Sequence, residues 1–377
     1  MFNNVNKACL TPSTFIVEGG VAYSVDRRDM KRAGMRKRKP VTLASLEDEV
    51  LRWLQRAGRS PNEDLMAEMI QTILKLVGDE ASRGDLKILN RSLKELRYAF
   101  KVFAPYRSVR KVSIFGSTWV KEGDPYYQMA VVFARRLAEE GFMVITGAGS
   151  GIMQAGHEGA GRERSFGVNI LLPFGQPANE FIRDDPKLMT FHFFFTRKLI
   201  FVKEADAVVF FPGGFGTHDE AMESLTLAQT GKGQIVPILF VDLPGQGYWQ
   251  DWVGFVRKRM LSRGFISEQD LSMFKISEDV EAAVQDIKKF YSNYHSYRFV
   301  DQDLVIRLVH PPTADLIKRL NKEFRDILTE EDVRQTGPLP EESDDPDTLH
   351  LHRLLVPFNR SGFGRLRQMI DVINAQP

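Results

Sequence analysis

Two hydrophobic periodicities divide the chain. Between residues 43 and 103 apolar side chains recur at helical spacing, in three stripes: Leu46, Val50, Leu51 and Leu54; Leu65, Met69, Ile73 and Leu76; and Leu86, Leu89, Leu93, Leu96 and Phe100. Ser60 and Pro61 open the second stripe with a cap residue and a proline in the first turn, where a missing N–H costs nothing. The pattern predicts a helical region whose leucines and methionines form core. From Lys111 onward the pattern becomes short continuous apolar runs at 112–116, 143–147, 167–173, 207–211 and 235–241, with a further short strand at 190–195. Amphipathic stretches separate them at 124–140, 151–162, 197–204, 217–229 and around 249–260. Strands that are apolar on both faces, alternating with helices, predict a parallel sheet covered on both sides. Beyond it, strand-like runs at 304–309 and 351–358 alternate with helical stretches at 313–328 and 364–374 and an acidic loop at 341–347.

The expected fold is therefore α/β: a doubly wound, Rossmann-like parallel sheet with a helical N-terminal extension and a small α+β C-terminal extension. The expected boundaries are a loosely structured basic segment at 1–40, a helical region at 41–107, the nucleotide-binding domain at 108–290 and the C-terminal extension at 291–377. A length of 377 residues agrees with two or three such units.

Composition removes several function classes. The net charge of +2 gives no global pull toward nucleic acid or an anionic membrane. Residues 27–39 do carry eight lysines and arginines. No aromatic side chain interleaves with them, which favours a solvated tail over a nucleic-acid arm. Docking of this strip on the acidic loop of a second subunit is a third possibility. The lone cysteine, Cys9, excludes an intrachain disulfide and has no Cys or His neighbour for a metal site. The seven histidines contain no HExxH pattern. His350 and His352 suit one face of a strand but lack a third ligand, so no metal is expected. No apolar run reaches the roughly 18 residues needed to span a bilayer, and the N-terminus lacks the plan of a signal peptide. A cytoplasmic protein without a membrane contact is the expectation.

The chemistry concentrates at the carboxyl ends of the strands, where open parallel sheets bind ligands. Three glycine-bearing turns lie there: Gly116 and Ser117; Gly147, Gly149 and Gly151; and Gly213, Gly214, Phe215, Gly216 and Thr217. Glycine lets backbone N–H groups approach an anion, and the following helix N-terminus adds partial positive charge, so a phosphate is the natural occupant. Tight turning alone would explain one such turn; three at equivalent ends favour binding. The first turn is not GxGxxG, and Gly231-Lys232-Gly233 lacks a P-loop frame, so dinucleotide hydride transfer and P-loop ATP hydrolysis both lose ground.

The segment Pro212-Gly213-Gly214-Phe215-Gly216-Thr217-His218-Asp219-Glu220 resembles the PGGxGTxxE motif of the LOG ("lonely guy") family, often labelled lysine decarboxylase. Thr196-Arg197-Lys198 resembles that family's Arg-Lys pair, and the turn from Gly147 to Met153 resembles its first glycine-rich loop. The resemblance covers about half the chain. The extensions are similar to those of longer bacterial nucleotide nucleosidases. The resemblance implies an N-glycosidase that splits a nucleoside 5′-monophosphate into base and ribose 5-phosphate without metal or organic cofactor. The nucleotide would be AMP, CMP, GMP or a cytokinin nucleotide, and a homodimer or larger assembly is expected. It implies Glu220 and Arg197 as catalytic residues, and Gly116, Ser117, Gly147, Gly149, Gly151, Met153, Lys198, Gly213, Gly214, Phe215, Gly216, Thr217, Glu223 and Thr226 as substrate contacts. Asn179 and Glu180 are further candidates for the crevice, and His218 reads as a supporting residue. Lys198 raises the decarboxylase label, but nothing in the sequence outlines a pyridoxal phosphate site. A nucleotide or cofactor sensor on the same fold is the alternative; a carboxylate beside the sugar favours the enzyme.

Overall fold

A computed structural model describes residues 14–18, 21–25, 49, 50, 52–54, 56, 62–173, 175 and 177–376. Cys9, the basic strip at 27–39, the Ser60-Pro61 start signal and Leu46 and Leu51 lie outside the described residues. The chain divides into two compact units, Met1–Asn90 and Arg91–Pro377.

In the first unit, strands β1 (Thr14–Glu18) and β2 (Val21–Val25) pair antiparallel, where the hydropathy pattern suggests only loose structure. Helix α1 (Glu63–Gly78) follows, and α2 (Arg83–Phe103) begins here. Ser82 and Asp85 start α2 with a reciprocal cap: the Asp85 N–H donates to Ser82 Oγ at 3.2 Å and the Ser82 N–H to Asp85 Oδ2 at 3.2 Å. The apolar stripe is present but is not core. Leu65, Met69 and Ile73 are each about half exposed, as are Leu86, Leu89 and Leu93. Helical spacing establishes an apolar face; it does not establish what covers it.

The second unit holds a seven-stranded parallel sheet in the order β6-β5-β4-β3-β7-β8-β9. The strands are β3 (Lys111–Phe115), β4 (Met143–Thr146), β5 (Ser165–Ile170), β6 (Leu188–Phe191), β7 (Ala207–Phe210), β8 (Ile238–Val241) and β9 (Phe274–Ser277). The hydropathy pattern misses β9, a four-residue edge strand that alternates instead of running apolar. On one face α3 (Pro125–Glu139), α4 (Ile152–Ala160) and α8 (Val280–Phe290) seal Phe133, Leu137, Ile152 and Ile287 against Val112, Ile114, Val209 and Phe211. On the other, the end of α2 and helix α5 (Phe194–Glu204) bring Phe103, Ile200 and Phe201 onto Ile145, Phe166 and Val168. Helices α6 (Phe215–Thr230) and α7 (Tyr248–Phe255) follow β7 and β8.

The C-terminal extension is an antiparallel sheet, β10 (Tyr294–Val300), β11 (Asp303–Leu308), β13 (His352–Val356) and β12 (Arg334–Thr336), with helices α9 (Ala314–Glu323) and α10 (Phe363–Asn374). It has no separate main core: Ile306, Leu354, Leu366 and Met369 share one cluster with Phe210 and Phe240 of the parallel sheet. Three carboxylates of the acidic loop pair within this unit. Glu342 is fully buried between Arg307 and Arg353, whose Nε atoms donate to it at 2.9 and 2.7 Å. Asp345 takes Arg307 at 2.7 Å, and Asp344 takes Arg298 at 2.7 Å. A buried carboxylate survives because charge-assisted bonds replace its water. Glu342 is therefore not free to meet a basic strip on another subunit.

Candidate functional site

The chain runs outward from β3 through β4 and β5 to β6, then returns to place β7 on the other side of β3. That reversal is the topological switch point, where neighbouring strand ends splay and leave a crevice. The turns after β3, β4 and β7 meet there and are locked together through Ser117. Its N–H donates to Pro212 O at 3.0 Å, and its carbonyl accepts from Ile152 N at 3.0 Å. Two glycines permit this closeness. A Cβ at Gly151, where φ is +69°, would lie 2.2 Å from Ser117 O, and one at Gly213 would lie 2.2 Å from Thr217 Oγ1. Gly214 and Gly216 differ, since a Cβ there would meet nothing within 4 Å. They face open space at the start of α6, whose Gly214 N-cap makes no side-chain cap bond. The Thr217 N–H is already taken by Gly214 O at 3.0 Å, but the amides before it have no intrahelical acceptor, so this end is suited to an anion.

Beside it lies a cavity of about 340 Å³. Gly116, Ser117, Gly147, Met153, Arg197, Gly214, Phe215, Gly216, Thr217 and Glu220 line it, as the sequence suggests. Phe115, Thr118, Trp119, Asn169, Ile170, Leu172, Phe194 and Asp219 also line it, and sequence reasoning misses all of these. Six sequence candidates do not: Gly149, Gly151, Lys198, Gly213, Glu223 and Thr226. Gly151 and Gly213 shape the turns from behind. Thr226 is exposed further along α6, its hydroxyl donating to Met222 O at 2.7 Å. Lys198 sits among carboxylates, with Nζ 2.8 Å from Asp219, 2.8 Å from Glu223 and 3.9 Å from Glu220. Burial works against its charge, but Asp219 and Glu223 outweigh that and hold its pKa above the usual lysine value.

Arg197 and Glu220 are the charged pair of the cavity wall. Arg197 stands in the first turn of α5, and its Nε donates to Val168 O at 2.8 Å, which aims the rest of the guanidinium. Space for it exists because residue 147 is glycine: a Cβ there would lie 2.3 Å from Arg197 Nη2 and 2.5 Å from Met153 Sδ. Burial pulls the Arg197 pKa down to about 10, with Glu220 opposing, so the group stays cationic at neutral pH. Glu220, in the second turn of α6, is 8 % exposed. Burial pushes its pKa up to about 7, against the pull of Lys198 and Arg197. A carboxyl poised at neutrality beside a fixed cation can take or give a proton.

Asn179 is not a cavity residue. It lies buried beneath the second turn, its Nδ2 donating to Gly149 O at 2.9 Å and lying 3.1 Å from His157 Nδ1. His157 Nε2 is 3.0 Å from Phe166 O, which can only accept, so the proton sits on Nε2 and Nδ1 accepts from Asn179. Burial holds this histidine neutral, its pKa down to about 4. The pair supports the turn in which Ala148 takes a φ of +60°. Glu180 is exposed. His218 points away from the cavity and meets Tyr248 Oη at 2.8 Å, while that hydroxyl donates to Gly213 O at 2.5 Å. Among the described residues no group of three or more His, Cys, Asp or Glu could hold a metal ion, and no helix is long and apolar enough to cross a membrane.

A family profile described as "Possible lysine decarboxylase" matches residues 148–287. The "Probable cytokinin riboside 5'-monophosphate phosphoribohydrolase LOG6" of Arabidopsis thaliana is 31 % identical over 147 residues, covering 37 % of this chain and 69 % of that protein. The chain belongs to the LOG family. "Cytokinin riboside 5'-monophosphate phosphoribohydrolase LOG2" of Arabidopsis thaliana is 25 % identical over 212 residues, 55 % of this chain and 92 % of that protein. Similar solved structures include a molybdenum cofactor carrier protein of Chlamydomonas reinhardtii, 17 % identical, covering 48 % of this chain and 97 % of that one at a TM-score of 0.34. The family profile takes in Arg197, Glu220, the glycine turn after β7 and the turn after β4 from Ala148 onward, and it leaves out Gly147 and the turn after β3 with Trp119.

Proposed function

We propose that this LOG-family chain hydrolyses the N-glycosidic bond of a nucleoside 5′-monophosphate. The observation that carries the reading is Glu220, a buried carboxyl with a pKa near 7 at a cavity that also holds Arg197 and an uncapped, glycine-opened helix start. The 5′-phosphate binds the amides at residues 214–216 and the Thr217 hydroxyl. The ribose lies beside Glu220 and the base reaches toward the apolar wall. As the C1′–N bond lengthens, positive charge grows on the sugar, and ionised Glu220 stabilises it, as paired carboxylates do in O-glycoside hydrolysis. Water adds its oxygen to C1′ and gives a proton to Glu220, the base departs with the bonding electrons, and the proton passes from Glu220 to the base, which returns the carboxylate to its ionised form. Arg197, cationic throughout, holds the substrate and draws electron density toward the leaving base. Partner expectations follow: a small-molecule nucleotide, and a homodimer or larger assembly.

The phosphate anchor gives a direct test. Binding energy from a group remote from the reacting bond lowers the barrier when it fixes the reacting centre in place. The kcat/KM for AMP, followed by chromatography of released adenine, should exceed that for adenosine by about 100-fold or more, the size expected of a remote anchor that positions the reacting bond. Equal values would refute the phosphate placement.

A further inference from the structure

Trp119 is 89 % exposed although it lines the cavity, and Phe215 on the facing turn is 97 % exposed. An indole offers one of the largest apolar faces a side chain has, and leaving it in water forgoes that burial. The position is not that of a loose loop. The Trp119 N–H donates to Ser117 Oγ at 3.1 Å, Ser150 Oγ donates to Thr118 O at 3.0 Å, and Ser117 is fixed to the other two turns through its own backbone. A bare indole on a pinned backbone therefore stands at a cavity whose lining is apolar at Ile170 and Leu172 and includes the Arg197 guanidinium. The complementary ligand has an anionic end and a flat aromatic end.

We propose that Trp119 stacks on the nucleobase of the bound nucleotide and is this chain's base-holding residue. The proposal rests on the nucleotide reading of the site given above. Trp119 lies outside the stretch that matches the family profile. Stacking of a base on an aromatic side chain is worth about 1–3 kcal/mol on alanine substitution, or roughly 5- to 150-fold in Kd. It uses only the π-face of the base, so it contributes hold more than hydrogen-bond readout.

The test uses the full chain carrying Glu220→Gln, so that ligand is not consumed, with and without Trp119→Ala. Calorimetric titration with AMP should show Kd weakened about tenfold or more by Trp119→Ala, while ribose 5-phosphate, which has no base, binds both proteins equally. That equality also shows that the second substitution leaves the pocket intact. In a parallel experiment, the emission of Trp119, isolated as the difference between the parent and Trp119→Phe, should start at the long wavelength of a solvated indole and be quenched by AMP. An unchanged AMP Kd in Trp119→Ala would overturn the stacking role and leave the nucleotide reading standing. Equal loss of AMP and ribose 5-phosphate affinity would also overturn it, by showing a structural effect. Short-wavelength emission that AMP does not alter would mean that a second copy already covers the indole, and would overturn it too. No saturable binding of AMP to the parent would remove the nucleotide reading and this proposal together.

Discussion

Replacing Glu220 by Gln should cost activity and add stability, with a pH dependence set by one group. The Glu220 carboxyl has a pKa of about 7 because burial disfavours its charge more than Lys198 and Arg197 favour it. If the ionised form is required, its fraction sets the rate of the free enzyme: about one-tenth at pH 6, half at pH 7 and nine-tenths at pH 8. The kcat/KM of the wild type should then rise about tenfold from pH 6 to pH 8 and flatten above. Glu220→Gln should fall by about 100-fold or more, as when one electrostatic stabiliser of a transition state is lost, and its profile should lack this limb. The substrate phosphate titrates near pH 6, so any limb left in the variant belongs to the ligand. The stability change runs the other way. The folded pKa lies above that of an unfolded glutamate, so folding binds the proton more tightly. The associated stability is complete below about pH 4.5 and is lost as the pH rises through about 7. The full difference is about 3 kcal/mol. Gln imitates the protonated carboxyl, so the variant should match the wild type in denaturant unfolding at pH 4.5 and exceed it by up to about 3 kcal/mol at pH 8. A variant that is both active and no more stable at pH 8 would refute the reasoning.

Gly147→Ala should displace Arg197 and Met153, which a Cβ would approach at 2.3 and 2.5 Å, and lower kcat/KM by about 100-fold, as a misplaced catalytic group does, with thermal unfolding little changed. Glu342→Gln should destabilise the chain by about 3 kcal/mol, because Arg307 and Arg353 lose their shared buried carboxylate; chemical denaturation measures this, and an unchanged midpoint would contradict the ion-pair assignment. Leu65, Met69 and Ile73 are about half exposed on one helix, so light scattering should give the full chain the mass of a dimer or larger, and changing the three to Ser should reduce it. A monomer at micromolar concentration would end that expectation.

The sequence is most informative where one residue type alone can serve. Strands at 112–116, 143–147 and 207–211 are legible because burial on both faces demands continuous apolar runs, and the glycine turns are legible because Gly151 and Gly213 admit no Cβ. Strand β9 hides because an edge strand buries only part of its length, and β10 because its pattern, Tyr294 to Val300, is half polar. The cavity wall is illegible for a different reason. Asn169, Ile170, Leu172 and Phe194 come from the ends of β5 and the start of α5, and only the sheet order brings them to the turn after β3. The surroundings of Lys198 are not legible from the motif either. In this chain its Nζ is bound by Asp219 and Glu223, one on each side of Glu220 along α6, and it stands 3.9 Å from Glu220, whose charge it favours. The half-exposed stripes of α1 and α2 make the same point for packing: periodicity marks an apolar face, and burial depends on what reaches it.

The central claim is tested most directly by incubating the wild-type chain with AMP, CMP, GMP and a cytokinin riboside 5′-monophosphate, one at a time, and resolving both products by chromatography with mass detection. Release of free base and ribose 5-phosphate in equal amounts from at least one of them, slowed about 100-fold or more with Glu220→Gln, is the expected result. Saturable binding of all four with no base released from any would contradict hydrolysis and leave the protein a nucleotide binder.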